Sequence, residues 1–414
     1  MSELLSKNVR LKVGLKKLYK GICTLSLALA MIVISLMLVF SGTIPEAEAT
    51  FAANGGMPMY SWGNNLNGRL GLGNEGTDTN RNTPQRIGNE ANWVFAATAG
   101  MGSFAVNSDG ELFGWGNGWN QANMGQGANL SPGTGNILEP TKIGTADNWV
   151  QVSARSSAVA AINSNGELFR WGTLGGTNHV PTRIGIATNW EDFAVSNSSL
   201  AAINSLGQLH IGSSGLSRVG DRSDWTVITA DAGTFRGVTE SGQLWNISAA
   251  GVVTQIGTAN NWVDVRTTGS ASAAINEDGE LWTWGSGQIG GRPVNAENPS
   301  HLPGKVLGTA DNWVSLHGGT NHFLAFNEDG ELWGWGSNES GQLGDGTFTA
   351  RVAPTFILQT YGFNTAARGG GIQSIMLLRT TPAEGESLLT KSLQMPEGTP
   401  IPSLDFEFTF TPKS

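Results

Sequence analysis

Apolar and polar positions along this chain recur in a fixed frame rather than drifting. A polar-Trp pair, "NW" in most copies, is followed by an apolar or small stretch, a polar turn ending in glycine, and then an aromatic-rich strand, as in "NWVDVRTTGSASAAINEDGELWTWG". The first anchors are Trp93, Trp149, Trp190, Trp225, Trp262 and Trp313, and each turn glycine (Gly110, Gly166, Gly207, Gly242, Gly279 and Gly330) lies seventeen residues later. Five residues beyond each glycine come Trp115, Trp171, Gly212, Ile247, Trp284 and Trp335. Each unit reads as strand, short turn, strand, hairpin, strand. Asp-Gly between two strands is a strong hairpin signal because glycine accepts a positive φ. The strand after the turn, "ELWTWG", lacks clean alternation, as a strand covered on both faces does.

Six complete copies are joined by two halves. "YGFNTAARGGGIQSIMLLR" repeats the first half with Phe363 at the Trp position, and "MPMYSWG" near the front supplies an orphan second half with Trp62 and Gly63. Pairing the halves predicts an all-β, seven-bladed β-propeller closed by its N-terminal strand, at a period normal for such repeats. Closure hides sheet edges and ties the ends together.

The repeated "NEDGE" invites a second reading as an acidic metal loop. Other copies, "NSNGEL", "NSLGQL" and "ESGQL", lose the oxygen ligands and keep the glycine. A metal site needs its ligands and a turn needs only its glycine, so the stretch is a turn.

The long copies add "WGSNESGQLGDGT…P" from Trp335 and "WGNNLNGRLGLGN…P" from Trp62. With these motifs the chain resembles the regulator-of-chromosome-condensation repeat family over about Met57 to Thr380, more weakly in units three to five. The resemblance implies a seven-bladed propeller that acts by binding other proteins. Nucleotide exchange, known for a eukaryotic member, is an alternative by analogy only. A secreted member inhibits β-lactamases through one propeller face, which makes inhibition of an extracellular enzyme another alternative.

The segment before the repeats has a targeting layout. Lys7, Arg10, Lys12, Lys16, Lys17 and Lys20 precede an apolar run to about Phe40 and a small-x-small site at Ala47-Glu48-Ala49. Residues 1–49 are therefore expected to be a signal helix cleaved after Ala49, or an uncleaved membrane anchor, placing the rest outside the cell. After the propeller (57–380) and a linker (381–387), residues 388–414 read as a short β tail with "FEFTF" alternation. That tail is similar to the opening of a Gram-positive pilin-type isopeptide domain, in which Lys391 would be the crosslinking lysine.

Composition narrows the chemistry. The net charge is −9, which argues against nucleic acid as a partner. The one cysteine, Cys23, lies in the N-terminal apolar run, so the exported part has no thiol chemistry. The five histidines form no ligand spacing, and "GSGQIG" and "GLGNEG" are followed by no helix, so no cofactor, metal or catalytic set is expected. A glycan-active enzyme at the channel is retained only as an alternative. The segments from the second Trp position to the next first anchor are long in four units that become neighbours in a closed ring. Loops on a rigid scaffold carry binding. The expected surface is therefore built by loops 64–84, 116–140, 286–303 and 337–354, with Arg69, Trp119, Arg292, His301, Asp345 and Phe348 as contacts for a protein or glycan partner. The functional expectation is an exported adhesion or recognition protein of a Gram-positive cell surface.

Overall fold

The structure, a computed structural model, describes residues 56–100, 102–117, 124–125, 135–286, 301–306, 311–361, 365–366 and 368–379. The expected signal helix (1–49), linker and β tail (388–414) lie outside these. Among the described residues no helix is long and apolar enough to cross a membrane.

Seven sheets make the seven blades, six antiparallel with four strands and one with five. Blade 1 runs outward from Trp93–Thr98 through Gly102–Asn107 and Leu112–Gly116 to Ile137–Lys142. Blades 2 to 6 repeat this order, with innermost strands Trp149–Arg155, Trp190–Val195, Trp225–Ala230, Trp262–Thr267 and Trp313–Gly318. Blade 7 is composite. Its inner strands, Thr365–Ala366 and Gln373–Leu377, come from the C-terminal side, and its outer strands, Met59–Gly63 and Arg81–Arg86, from the N-terminal side. Ser61 stands opposite Ile375 and Trp62 opposite Ser374 in the closing pair. The sequence anticipated one closing strand, and the structure uses two. Arg368–Gly369 also adds in parallel to the innermost strand of blade 1, stitching blade 7 to its neighbour.

The core lies between blades. Seven buried clusters each join residues of two adjacent blades, one for every interface of a closed ring. Trp62, Trp115, Trp171 and Trp335 are fully buried there. The first-anchor tryptophans meet a ring on their own third strand edge-to-face: Trp93 with Phe113, Trp149 with Phe169, Trp190 with His210, Trp225 with Trp245, Trp262 with Trp282 and Trp313 with Trp333. His210 thus serves as an aromatic spacer, and burial lowers its pKa.

The repeated acidic stretch is a hairpin organised by its asparagine. Asn276 Oδ1 accepts the backbone N–H of Asp278 (3.2 Å) and Glu280 (2.9 Å), while its Nδ2 donates to Glu280 Oε2 (2.7 Å). Asn107, Asn163, Asn204 and Asn327 make the same set. Glu280 also pairs with Lys305 at 2.6 Å, and Lys305 and Asn276 hold its carboxyl below the usual range. The glycine has two jobs. Gly279 sits at φ +75°, and its carbonyl accepts the N–H of Trp313, the first anchor of the next blade, at 3.0 Å. A Cβ on Gly279 would lie 2.7 Å from Asp311 O. The glycine therefore serves blade-to-blade docking as well as the turn.

Candidate functional site: the long-loop face

In a meander of antiparallel strands, alternate connections lie at opposite ends of the blade. The asparagine hairpins occupy one face. The first-to-second and third-to-fourth strand connections occupy the other, as the bonds Thr173 N to Ser157 O (3.0 Å), Ser286 N to Ser270 O (2.9 Å) and Ser337 N to Asn321 O (2.9 Å) show. The long loops are third-to-fourth connections, so they share this second face.

Each described long loop is built around a buried asparagine that the sequence reading passed over. Asn65 Oδ1 accepts Leu70 N (3.0 Å), and its Nδ2 donates to Asn74 Oδ1 and Thr79 Oγ1 (both 2.8 Å). Asn338 does the same in blade 6, accepting Leu343 N (2.9 Å) and donating to Asp345 Oδ1 (3.0 Å). Both side chains are wholly buried. The signal was present as an Asn two residues after the "WG" of Trp62 and of Trp335.

The Gly-x-Leu-Gly piece of each loop then locks onto the next blade. Arg69 O accepts Trp115 Nε1 at 3.0 Å, and Gln342 O accepts Trp62 Nε1 at 2.9 Å. The closing glycines lie flat on the same indoles, since a Cβ at Gly71 or Gly344 would approach Trp115 Nε1 or Trp62 Nε1 to 2.7 Å. Loops 337–354 and 64–84 are joined by Gly346 N to Asn82 O (2.8 Å), Asn82 Nδ2 to Gly346 O (2.7 Å) and Asn64 Nδ2 to Ser340 Oγ (3.3 Å). Loop 64–84 reaches blade 1 through Gly73 N to Leu138 O (3.0 Å) and the contact of Asn136 with Glu75. Blades 6, 7 and 1 thus present one hydrogen-bonded platform.

Two of the expected contacts belong inside this platform. Arg69 is 3% exposed, its Nε donates to Leu66 O at 2.7 Å, and burial lowers its pKa to about 10. The Arg69 carbonyl must face Trp115, which turns the side chain back on its own loop. Asp345 is likewise spent. Its buried carboxylate takes Arg351 at 2.7 Å and Thr347 N at 3.0 Å. Burial pushes this carboxyl up, but bonds from Thr347, Arg351 and Asn338 outweigh it and leave the pKa lowered. Phe348 is 51% exposed and His301 is exposed. Leu66 (45%) and Val352 (63%), which the sequence did not single out, are also apolar and exposed, on the 64–84 and 337–354 segments of blades 7 and 6. Trp119, Arg292 and Lys391 lie outside the described residues. No group of three metal-ligating side chains occurs among the described residues.

The fold and site define a class: a closed seven-bladed repeat propeller that offers a rigid, loop-built surface. Profiles of the regulator of chromosome condensation (RCC1) repeat match residues 59–106, 314–342 and 329–371, so these segments of the seven-bladed ring are RCC1-like repeats. Similar proteins include the E3 ubiquitin-protein ligase HERC2 of Mus musculus, 25% identical over 328 residues, and the ultraviolet-B receptor UVR8 of Arabidopsis thaliana, 27% identical over 318. The matches cover 75% and 74% of this chain but only 6% of HERC2 and 56% of UVR8. Among solved structures, human WBSCR16 superposes with a TM-score of 0.67 at 16% identity, covering 78% of this chain and 99% of its own. Prp20p of Saccharomyces cerevisiae, described with its binding to Gsp1p and histones, gives 0.66 at 17% identity, covering 79% and 92%. At these identities the structural likeness speaks for the fold alone.

Proposed function

We propose that this chain is an exported, cell-surface or secreted recognition propeller that holds a protein partner on the long-loop face of blades 6, 7 and 1. The observation that carries this is the continuous platform itself. Loops of three consecutive blades are hydrogen-bonded to one another, held by buried asparagines, and leave Leu66, Phe348 and Val352 facing solvent. A preorganised surface with apolar anchors is what protein recognition favours, since little ordering entropy is lost on binding. Export rests on the N-terminal basic-apolar-small layout.

The test is affinity capture from cell-surface and culture-supernatant fractions with the parent and with the double variant Leu66→Asp, Phe348→Asp. Both positions are exposed, so the variant keeps the parent's melting temperature. The expected result is a specific protein held by the parent and lost, by about tenfold or more in affinity, from the variant. Equal capture by both removes the platform as the binding surface. Retention of the chain in the cytoplasm removes export.

A further inference from the structure

We propose that the loop-face end of the central channel is a binding site for a small monovalent anion, of halide or formate size, held by Arg155 and Arg266. Both guanidinium-bearing residues line one cavity of ≈ 40 Å³ together with Ser153, Thr229, Thr267 and His317, at the ends of the innermost strands of blades 2, 4, 5 and 6. No carboxylate lines this cavity among the described residues.

Arg155 is the key group. It is 5% exposed, yet it has no carboxylate within ion-pairing distance among the described residues. Its Nη1 crosses from blade 2 to the Ala230 carbonyl of blade 4 at 3.2 Å, and Gly370 lies so close that a Cβ there would be 2.7 Å from the same nitrogen. The nearest acid acting on it, Asp231, is committed elsewhere. Oδ1 of Asp231 accepts Gly233 N (2.9 Å) and Thr234 N (2.7 Å), and Oδ2 accepts Thr234 Oγ1 (2.9 Å) and faces Arg236 at 3.7 Å. Arg266 has its own partner in Asp264 at 2.8 Å. Asp192, two residues before the lining residue Ala194, has one oxygen on Ile228 N at 3.4 Å and does not line the cavity. Of the guanidinium groups at this end of the channel, Arg236 and Arg266 each have a carboxylate within 4 Å, whereas Arg155 has none among the described residues.

A buried charge without a counter-charge is costly, and arginine does not escape by losing its proton. An anion in the cavity removes that cost. The Ser153 and Thr229 hydroxyls supply neutral donors, whereas the Thr267 hydroxyl is turned to Ala230 O at 2.7 Å. A water needs roughly 10–15 Å³ of such space, so the cavity has room for about three waters and accommodates a halide or formate, whereas the six-carbon gluconate is too long for it. Bound there, the anion touches strands of several blades and stabilises the ring as any native-state ligand does.

The test uses the full chain at constant ionic strength, with gluconate replaced stepwise by chloride, bromide or formate. Roughly a hundredfold rise in the small anion is expected to raise the parent's melting temperature saturably, by about 2 °C or more. Arg155→Met should lose this dependence and, in gluconate, be at least as stable as the parent, since it no longer buries the charge. A purely structural arginine predicts the opposite, an equal loss in every buffer. Crystals soaked in bromide give a second readout that needs no variant: an anomalous peak within hydrogen-bonding reach of Arg155. A response to formate but not to halides assigns the site to a planar carboxylate. A melting temperature that ignores all three anions, an equal rise in Arg155→Met, or a cavity without bromide in crystals of the halide-responsive parent overturns the proposal.

Discussion

Acidification should loosen the ring at its closing seam, and His322 sets the size of the effect. The residue begins the second strand of blade 6, His322–Asn327, and is 2% exposed against blade 7. Its Nε2 lies 2.8 Å from Ser374 Oγ, and Ser374 Oγ donates to Gln342 O at 2.8 Å. The same Gln342 carbonyl takes Trp62 Nε1, and Ser374 stands opposite Trp62 in the closing pair. Ser374 has one proton and gives it to Gln342, so it must accept from His322. The ring is then neutral, with hydrogen on Nε2 and a bare Nδ1, in keeping with the lack of a partner for Nδ1. Protonation would place a second N–H at Nδ1 with nothing to receive it. Burial accordingly lowers the pKa to about 4. An unfolded histidine titrates near about 6.5. Between these values the unfolded chain binds more protons than the folded one, so stability is full above about 6.5 and falls as the pH drops towards 4. At a pH of about 4.5 the loss from this one group is about 2–3 kcal/mol. The assay is urea unfolding followed by tryptophan fluorescence from about pH 7.5 to 4.5, with His322→Gln as comparator, because glutamine keeps a donor for Ser374 and does not titrate. Other shifted groups, such as His210 (lowered) and Glu191 (raised by burial), are common to both proteins and cancel in the difference. Parallel curves for parent and variant, or a parent that gains stability on acidification, would refute the reasoning.

Two further outcomes probe the hairpin. Gly279→Ala should cost roughly 1–3 kcal/mol, from the positive φ and the 2.7 Å approach to Asp311 O, whereas Asp278→Ala should stay within about 0.5 kcal/mol; calorimetry without and with added calcium separates a turn from a metal loop, since only the latter predicts the aspartate to matter. Asn276→Ala removes the acceptor for Asp278 N and Glu280 N and the donor to Glu280 and should cost about 2 kcal/mol by thermal unfolding, with Asn276→Thr recovering part of it, as Thr239 Oγ1 accepts Gln243 N at 3.1 Å in blade 4.

The ring was legible because its two most demanding contacts are glycine and tryptophan contacts that few other residues satisfy. Gly279 must bend backwards and also let Trp313 approach, so the glycine recurs in every copy at one spacing from the anchor of its own blade, and an orphan Trp62 had one place to go. The loop surface was less legible for a physical reason. Charged residues in loops are ordinarily solvated, and on that ground Arg69 and Asp345 read as contacts. Yet the Gly-x-Leu-Gly loop hands its second carbonyl to the next blade's indole, so Arg69 occupies the position of Gln342 and is drawn inward with it. Asp345 answers to Asn338 in the same way that Asn74 answers to Asn65. A pair of copies compared position by position, with each "WG" taken as origin, separates residues that repeat because the loop needs them from residues that do not repeat. Phe348 and Leu66 fall in the second group: Leu66 aligns with Glu339 and Phe348 with Glu75, and neither pair shares a side-chain type. Where a repeat abandons its own pattern and leaves an apolar group in water, the scaffold does not explain the choice, and under the proposed function a partner does.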